Sequence, residues 1–299
     1  MTLSENAPAL RARRSVLYMP GSNARALEKA RTLEADAVIL DLEDAVAPDV
    51  KDLAREQVCE AVKIGGFGRR EVIIRINALE SAWGEADLIS VIRATPDAIL
   101  IPKVSNAQTL HNIGEILNKH QAEASIRIWA MIETPLAMLN IREIAACAHQ
   151  PQTRLSCFVM GTNDLSKETG AGFGHQRIAM LPWLMQALTA ARAYHLDIID
   201  GVFNNLNDDV GYLNECEQGK LCGFNGKTLI HPKQIEGANQ IFAPSSEEIS
   251  AAQAIVDAFD LLENAAKGAI SLNGRMVERL HADIAHRTLT LAKAIHSDM

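Results

Sequence analysis

Carboxylates and cations gather in this chain where apolar runs stop. Ala37-Val38-Ile39-Leu40 leads into Asp41-Leu42-Glu43-Asp44. Val72-Ile73-Ile74 leads to Arg75 and Asn77, and Ala98-Ile99-Leu100-Ile101 leads to Lys103. Trp129-Ala130-Met131-Ile132 ends at Glu133, Phe158-Val159-Met160 at Gly161 and Asp164, and Leu229-Ile230 at His231. Glu133 and Asp164 are hard oxygen donors on neighbouring runs. Two such carboxylates, with positions left open for water, suit a divalent cation, Mg²⁺ first among them. The same two acids also suit helix caps, Glu133 for the helix starting near Pro135 and Asp164 for another. Arg75 carries a planar fork that pairs bidentately with a carboxylate. That carboxylate belongs either to a ligand or to Asp41 or Asp44 in a structural ion pair, and Lys103 has the same two readings. Arg25 and Lys29 are four apart and share a helix face. Near a helix start such a face suits a phosphate-bearing ligand, or merely solvent. His231 stands before Pro232 and is read equally as a ligand contact or a structural residue. Neither His175 nor His231 has an HxxxH or HxxH companion, and there is no GxSxG elbow, so a zinc centre and a serine nucleophile are poorly supported.

Such residues need elements that bring them to one place. Runs rich in Val and Ile alternate with longer amphipathic stretches, the pattern of βα units on a parallel sheet. Eight strands are expected, at 15–19, 37–42, 71–77, 97–103, 126–132, 155–160, 196–202 and 226–231. Helices are expected at 22–34, 50–63, 105–120, 135–149, 178–194 and 207–219. Eight strands without a dinucleotide glycine fingerprint favour an α/β fold of the closed (β/α)8 TIM-barrel type over an open doubly wound sheet. In such a barrel, chemistry collects at the strand C-termini.

Pro244-Ser245-Ser246-Glu247-Glu248 marks a boundary, since Ser245 or Ser246 can cap a helix with both acids in its first turn. Asn273-Gly274 between short apolar pieces is a hairpin signal. The expected division is a catalytic barrel over 13–243 and a helix-hairpin-helix extension over 244–299. The extension follows a complete set of strands, so it is free to pack on the barrel or on a neighbouring subunit.

Bulk properties narrow the function classes. The 299 residues are 48% apolar and 22% charged, with a formal net charge of -8. The negative charge and the 4% aromatic content argue against a nucleic-acid surface. No apolar run approaches the ~20 residues of a membrane span, so no membrane association is expected. Five cysteines without a CxxC pair fit a reduced cytoplasmic protein.

Several motifs in order resemble the citrate lyase β-subunit family within the HpcH/HpaI aldolase group. They are Arg14-Ser15-Val16-Leu17-Tyr18-Met19-Pro20-Gly21, Leu40-Asp41-Leu42-Glu43-Asp44, Ile74-Arg75-Ile76-Asn77, Ile101-Pro102-Lys103, Ile132-Glu133-Thr134, Gly161-Thr162-Asn163-Asp164-Leu165 and Gly226-Lys227-Thr228-Leu229-Ile230-His231-Pro232. The resemblance implies a barrel handling CoA or acyl-carrier thioesters of 3-hydroxy acids. It implies Mg²⁺, with Mn²⁺ as a substitute, on Glu133 and Asp164, and a substrate gripped by Arg75 and Glu133. It places CoA, as part of the substrate, near Tyr18, Arg25, Lys29, Ile230 and His231, with Asp41, Glu43, Asp44 and Lys103 in support. It also implies a homotrimer or homohexamer in which the C-terminal segment caps a neighbour's site. Two departures stand out. Many members have Glu-Asp where this chain has Asn163-Asp164. The lyases place an Asp in a Met-Ile-Asp context where this chain has Met276-Val277-Glu278. With those departures the chain looks most like the malyl-CoA thioesterase branch. The expected chemistry is Mg²⁺-dependent C–C cleavage of a malyl-CoA-like thioester, with Arg75 and Glu278 catalytic. Hydrolysis to malate and CoA in the same site is the nearest alternative. A β subunit that depends on the partners of a citrate lyase complex is the third.

Overall fold

The computed structural model describes residues 11–264 and 266–296. Eight parallel strands close into a barrel in chain order. They are β1 (Ser15–Pro20), β2 (Ala37–Asp41), β3 (Glu71–Arg75), β4 (Ala98–Ile101), β5 (Arg127–Ile132), β6 (Leu155–Met160), β7 (Asp197–Asp200) and β8 (Gly226–Leu229). The ring shuts where Leu17 of β1 pairs with Leu229 of β8. Strands β2, β3 and β4 are buried along their whole length, which is why they read as continuous apolar runs rather than alternating ones.

One face of each strand fills the barrel. Val16, Ile39, Ile73, Leu100, Trp129, Met131, Val159 and Ile199 pack there in a single core cluster, with Tyr18 against it. Strand side chains alternate with a period of two. The inward row that contains Ile39 therefore reaches Asp41, that of Ile73 reaches Arg75, and that of Trp129 and Met131 reaches Glu133. The carboxylates and the guanidinium thus stand at one end of the barrel because the core residues beneath them are in register.

The other end is closed by Arg13. Its guanidinium pairs bidentately with Glu71 at 2.6 and 2.7 Å and also bonds Asp197, the first residues of β3 and β7. It lies 5.0 Å from the Trp129 ring centroid.

Helices cover the outside. They begin with α1 (Ala24–Ala30), α2 (Lys51–Ile64), α3 (Gly84–Ala94), α4 (Ala107–Lys119), α5 (Pro135–Leu139) and α6 (Ile141–Ala146). They continue with α7 (Thr162–Thr169), α8 (Gly174–Arg177), α9 (Leu181–Ala193), α10 (Asp209–Cys222) and α11 (Ile235–Phe242). Several differ from the sequence pattern, and α7, α8 and α11, like α3, fall where no helix is expected. Helix α1 is capped by Asn23 and stops at Ala30 rather than 34, where the Arg31 guanidinium turns to the Gly65 carbonyl at 2.7 Å. The stretch 135–149 breaks at Asn140, whose amide donates to the Ser105 carbonyl at 2.9 Å. Helix α3 has no counterpart among the expected helices. Its first residue is Gly84, where an added Cβ would stand 2.2 Å from the Ala78 carbonyl oxygen, so a poor helix former is required at its start.

Contacts divide the chain into two compact units, Arg13–Gln240 and a second built mainly from the residues that follow Gln240. In the second unit, α12 (Ser246–Asp260) opens on a capping box: Ser245 accepts from the Glu248 amide at 3.1 Å while the Glu248 carboxylate accepts from the Ser245 amide at 2.7 Å. Strands β9 (Ala269–Leu272) and β10 (Arg275–Glu278) form the hairpin around Asn273-Gly274, and α13 (Arg279–His296) follows. Phe259, Ile270, Val277 and Ala282 make its small core.

Candidate active site

At the C-terminal ends of the barrel strands, a cavity of about 300 Å³ is lined by Tyr18, Asp41, Asp44, Arg75, Met131, Gly161, Asn163, Asp164 and Ile230, among others. Arg75 is its most heavily paired member. Its Nε and Nη2 each meet an Asp41 oxygen at 2.6 Å. Nη1 lies 2.8 Å from Glu43 Oε2 and 3.2 Å from Asp44 Oδ2, and the guanidinium sits 4.9 Å from the Tyr18 ring centroid. Burial alone would lower its pKa, but Asp41, Tyr18 and Glu43 together raise it well above the ordinary arginine value. The bidentate edge is therefore occupied by Asp41, and Nη1 is shared between the exposed Asp44 and the buried Glu43. The Glu43 contact is Coulombic, since Oε2 is close to Nη1 but outside hydrogen-bond geometry.

The acidic loop after β2 is fixed from several sides. The Asp41 carboxylate accepts from the Glu43 and Ala45 amides at 2.9 and 3.1 Å. Lys51, which the sequence pattern does not single out, is buried and donates to the Leu42 and Glu43 carbonyls, both at 2.9 Å. Only its place at the start of α2, eight residues beyond Glu43, hints at that role. Asn77 reaches the same Leu42 carbonyl at 2.9 Å.

Glu133 is fully buried. Its Oε1 accepts from the Lys103 amide at 2.7 Å, while its Oε2 has no hydrogen-bond partner among the described residues. Lys103 reaches this geometry with a left-handed φ of 53°, an uncommon conformation for a residue with a side chain, and its Nζ bonds Glu43 at 2.8 Å. Gly161 lies against Glu133 so closely that an added Cβ would stand 2.6 Å from Oε2, so only glycine leaves that oxygen room. Helix capping falls to Thr134 instead, whose hydroxyl accepts from the Ala137 amide. The structure thus frees Glu133 from the capping role. Asp164 lies in the first turn of α7, half-buried, on the cavity wall.

The electrostatics show what this arrangement lacks. Burial, then the nearby charge of Glu43, push the Glu133 carboxyl up to about 8, despite its bond to the Lys103 amide. Burial raises Glu43 as well, with Arg75 and Lys103 opposing. Against Asp41, Glu43, Asp44, Glu133 and Asp164 stand Arg75 and Lys103 in direct ion pairs and Lys51 acting through space on the first three. A divalent cation would relieve that excess and satisfy the orphaned Glu133 oxygen. Among the described residues no group of three or more His, Cys, Asp or Glu side chains is placed to hold a metal. An ion here would rely on water and substrate for its remaining positions, as Mg²⁺ commonly does.

The residues assigned to CoA fall into two places. Tyr18 points into the barrel and Ile230 lines the cavity rim, 40% exposed. His231 is exposed just beyond, its Nδ1 accepting from the Lys233 amide at 3.1 Å. Arg25 and Lys29 are exposed on α1, outside the cavity wall. Glu278 ends β10 in the C-terminal unit, half-buried, with its amide bonded to His281 Nδ1 at 3.0 Å.

The profile of the HpcH/HpaI aldolase/citrate lyase family matches residues 14–232. The chain belongs to this family. A (3S)-malyl-CoA thioesterase of Cereibacter sphaeroides (strain KD131) is 47% identical over 282 residues, 94% of this chain and 95% of that protein. The citrate lyase subunit beta of Haemophilus influenzae is 35% identical over 290 residues, 95% of this chain and 98% of that one. Among solved structures, the CitE protein of Mycobacterium tuberculosis in complex with magnesium, acetoacetate and coenzyme A superposes with a TM-score of 0.73. It is 25% identical, and the match covers 93% of this chain and 97% of that one. Family and relatives together make the protein an enzyme, of the lyase or thioesterase kind. Among the described residues no helix is long and apolar enough to cross a membrane.

Proposed function

We propose that the protein is a Mg²⁺-dependent enzyme acting on a malyl-CoA-like thioester, with hydrolysis to the free hydroxy acid and CoA as its first reading. The observation that carries the site is the buried Oε2 of Glu133, unpartnered among the described residues, given room by Gly161 and near enough to Asp164 to feel its charge. Higher identity to thioesterases than to lyase subunits puts hydrolysis ahead. Cleavage of the C–C bond, to a 2-oxo acid and acetyl-CoA, is the second reading. It is supported by the β-subunit relatives, which match over nearly the same length.

Glu133 and Asp164 would hold the ion, with Mn²⁺ able to replace Mg²⁺. The ion supplies Lewis-acid polarisation of a substrate oxygen. Arg75 keeps its charge through pairing with Asp41 and offers Nη1 to the substrate's carboxylate or oxo group, with Glu133 facing the same end of the ligand. Asp41, Glu43, Asp44 and Lys103 fix Arg75 and Glu133, so that little reorganisation is needed when charge develops. The CoA portion would leave over the rim at Ile230 and His231 towards the positive face of Arg25 and Lys29. Glu278 would manage the proton exchanged with solvent. We assign it to a site on a neighbouring copy in a homotrimer or homohexamer, with 13–243 as the catalytic domain and 244–299 as the cap. The exposure of Met276, Leu280 and Ile284 around Glu278, at 71%, 51% and 60%, supports a covered role for that surface.

The test is a product assay with purified protein, Mg²⁺ and malyl-CoA. Equal amounts of malate and CoA support hydrolysis, and equal amounts of glyoxylate and acetyl-CoA support C–C cleavage. Neither product pair would remove both readings.

A further inference from the structure

The phenol of Tyr18 stands at the base of the cavity with no adequate partner among the described residues and no role in the mechanism above. Tyr18 lies on the inward row of β1, two residues above Val16, and packs on the barrel core. Its ring supports the Arg75 guanidinium at 4.9 Å. Among the described residues its hydroxyl meets only the Met131 thioether, 4.0 Å away. A thioether is a weak acceptor, so this half-buried hydroxyl on the cavity wall still has a strong hydrogen bond to give. Met131 stands two residues before Glu133 on β5, so the hydroxyl sits one inward layer below the candidate metal-binding end. That is the acyl end of the cavity. The positive face of α1, where a CoA phosphate would rest, is formed by exposed residues outside the cavity wall.

We propose that Tyr18 contacts the acyl group rather than the CoA portion, donating a hydrogen bond from its hydroxyl to an oxygen of the bound thioester's acyl chain. This inference rests on the functional reading above. The hydroxyl keeps its proton throughout. Burial, reinforced by Asp41, Glu133 and Glu43 and opposed by Arg75, raises its pKa, so it serves as a neutral donor and not as a base. A donor fixed by ring stacking, in a pocket from which water is displaced, strengthens as negative charge grows on its acceptor. It would thus favour the transition state over the ground state in either hydrolysis or C–C cleavage.

Tyr18→Phe keeps the ring under Arg75 and removes only the hydroxyl. We expect kcat to fall by about 100-fold, the scale of losing one preorganised donor, with KM within about threefold and an unchanged melting temperature. A merely structural hydroxyl would move the melting temperature and leave kcat alone. The chain has three tyrosines, so a near-ultraviolet difference spectrum gives a second readout without turnover. Adding a non-hydrolysable malyl-CoA thioether should perturb the tyrosine bands of the wild type, and the perturbation should be lost in Tyr18→Phe. Adding CoA alone should produce no such perturbation in either protein. A perturbation by CoA alone, or full kcat in Tyr18→Phe, would overturn the assignment. If the wild type itself turns over no malyl-CoA, it is the functional reading that fails. The spectral comparison, repeated with small 2-oxo and hydroxy acids, then decides on Tyr18 separately, and silence with all of them would end the assignment too.

Discussion

Replacing Glu133 by glutamine tests the electrostatic reasoning directly. In the metal-free protein the carboxyl has a value of about 8, against 4.5 for an ordinary glutamate. The folded state therefore holds a proton that the unfolded chain releases. Stability from this source is fully present below pH ~4.5 and is lost as pH rises through about 8, because the raised value means that the native state binds the extra proton. Each unit is worth about 1.36 kcal/mol. At pH 6 the loss is about 2 kcal/mol, and at pH 9 it approaches 5 kcal/mol. The amide of Glu133→Gln cannot ionise. It still accepts from the Lys103 amide, and its new N–H donor, facing the close Gly161, costs about 1–3 kcal/mol at every pH. The difference in unfolding free energy between Glu133→Gln and wild type should thus shift by about 3 kcal/mol in favour of the variant between pH 6 and pH 9. Urea unfolding with chelator present, at both pH values, measures it, and other titrating groups cancel in the difference. A shift below about 0.5 kcal/mol, near the limit of extrapolation, would refute the buried-carboxyl argument. Adding Mg²⁺ to the wild type should stabilise it more at pH 9 than at pH 6, since at the lower pH the ion must first displace the proton.

Further outcomes follow from the same geometry. Chelation should abolish turnover and added Mg²⁺ restore it, whereas Asp164→Ala should stay inactive at any Mg²⁺ concentration; full activity of that variant without metal refutes the metal assignment. Reversing both charges in Arg25→Glu/Lys29→Glu should raise KM for the CoA thioester with a weaker effect on kcat, the signature of lost uniform binding; equal use of free malate would contradict a thioester site. Arg13→Ala leaves Glu71 and Asp197 without their shared cation at the closed end of the barrel, and should cost about 3–5 kcal/mol in chemical unfolding with little change in KM. Mixing inactive Glu133→Ala and Glu278→Ala proteins should restore part of the activity after subunit exchange; verified exchange without recovery removes Glu278 from a neighbour's site.

The barrel was legible in the sequence because its strands are buried on both faces. A continuous run such as Ala37-Val38-Ile39-Leu40 has few alternatives once similar runs follow at helical spacing. Strand ends were harder. Residues 102–103 and 201–202 read as strand but lie beyond β4 and β7, since an apolar run carries no local signal of where its last ladder bond falls. Helix α3 escapes the pattern because Gly84 and the acids Glu85 and Asp87 mask a buried face at Leu88, Val91 and Ile92. The capping box at Ser245 and the hairpin at Asn273-Gly274 were readable because each depends on residues within a few positions of one another.

The site divides along the same line. That Asp41, Arg75, Glu133 and Asp164 stand near one end of the barrel follows from strand position alone. Which of them is spent on its neighbours does not, because that depends on side-chain directions across three or more strands. Arg75 was open to both a ligand and Asp41, and the structure gives its bidentate edge to Asp41 and sets its Nη1 beside Glu43 and Asp44. Glu133 was open to both capping and coordination. Thr134 takes the cap, the left-handed Lys103 amide takes one oxygen, and Gly161 keeps the other clear. None of these three residues has an unusual sequence context by itself. Their joint effect is to bury one carboxylate oxygen with no partner among the described residues, at a cost that folding alone gives no reason to bear. That cost makes physical sense if a cation and a substrate complete the site.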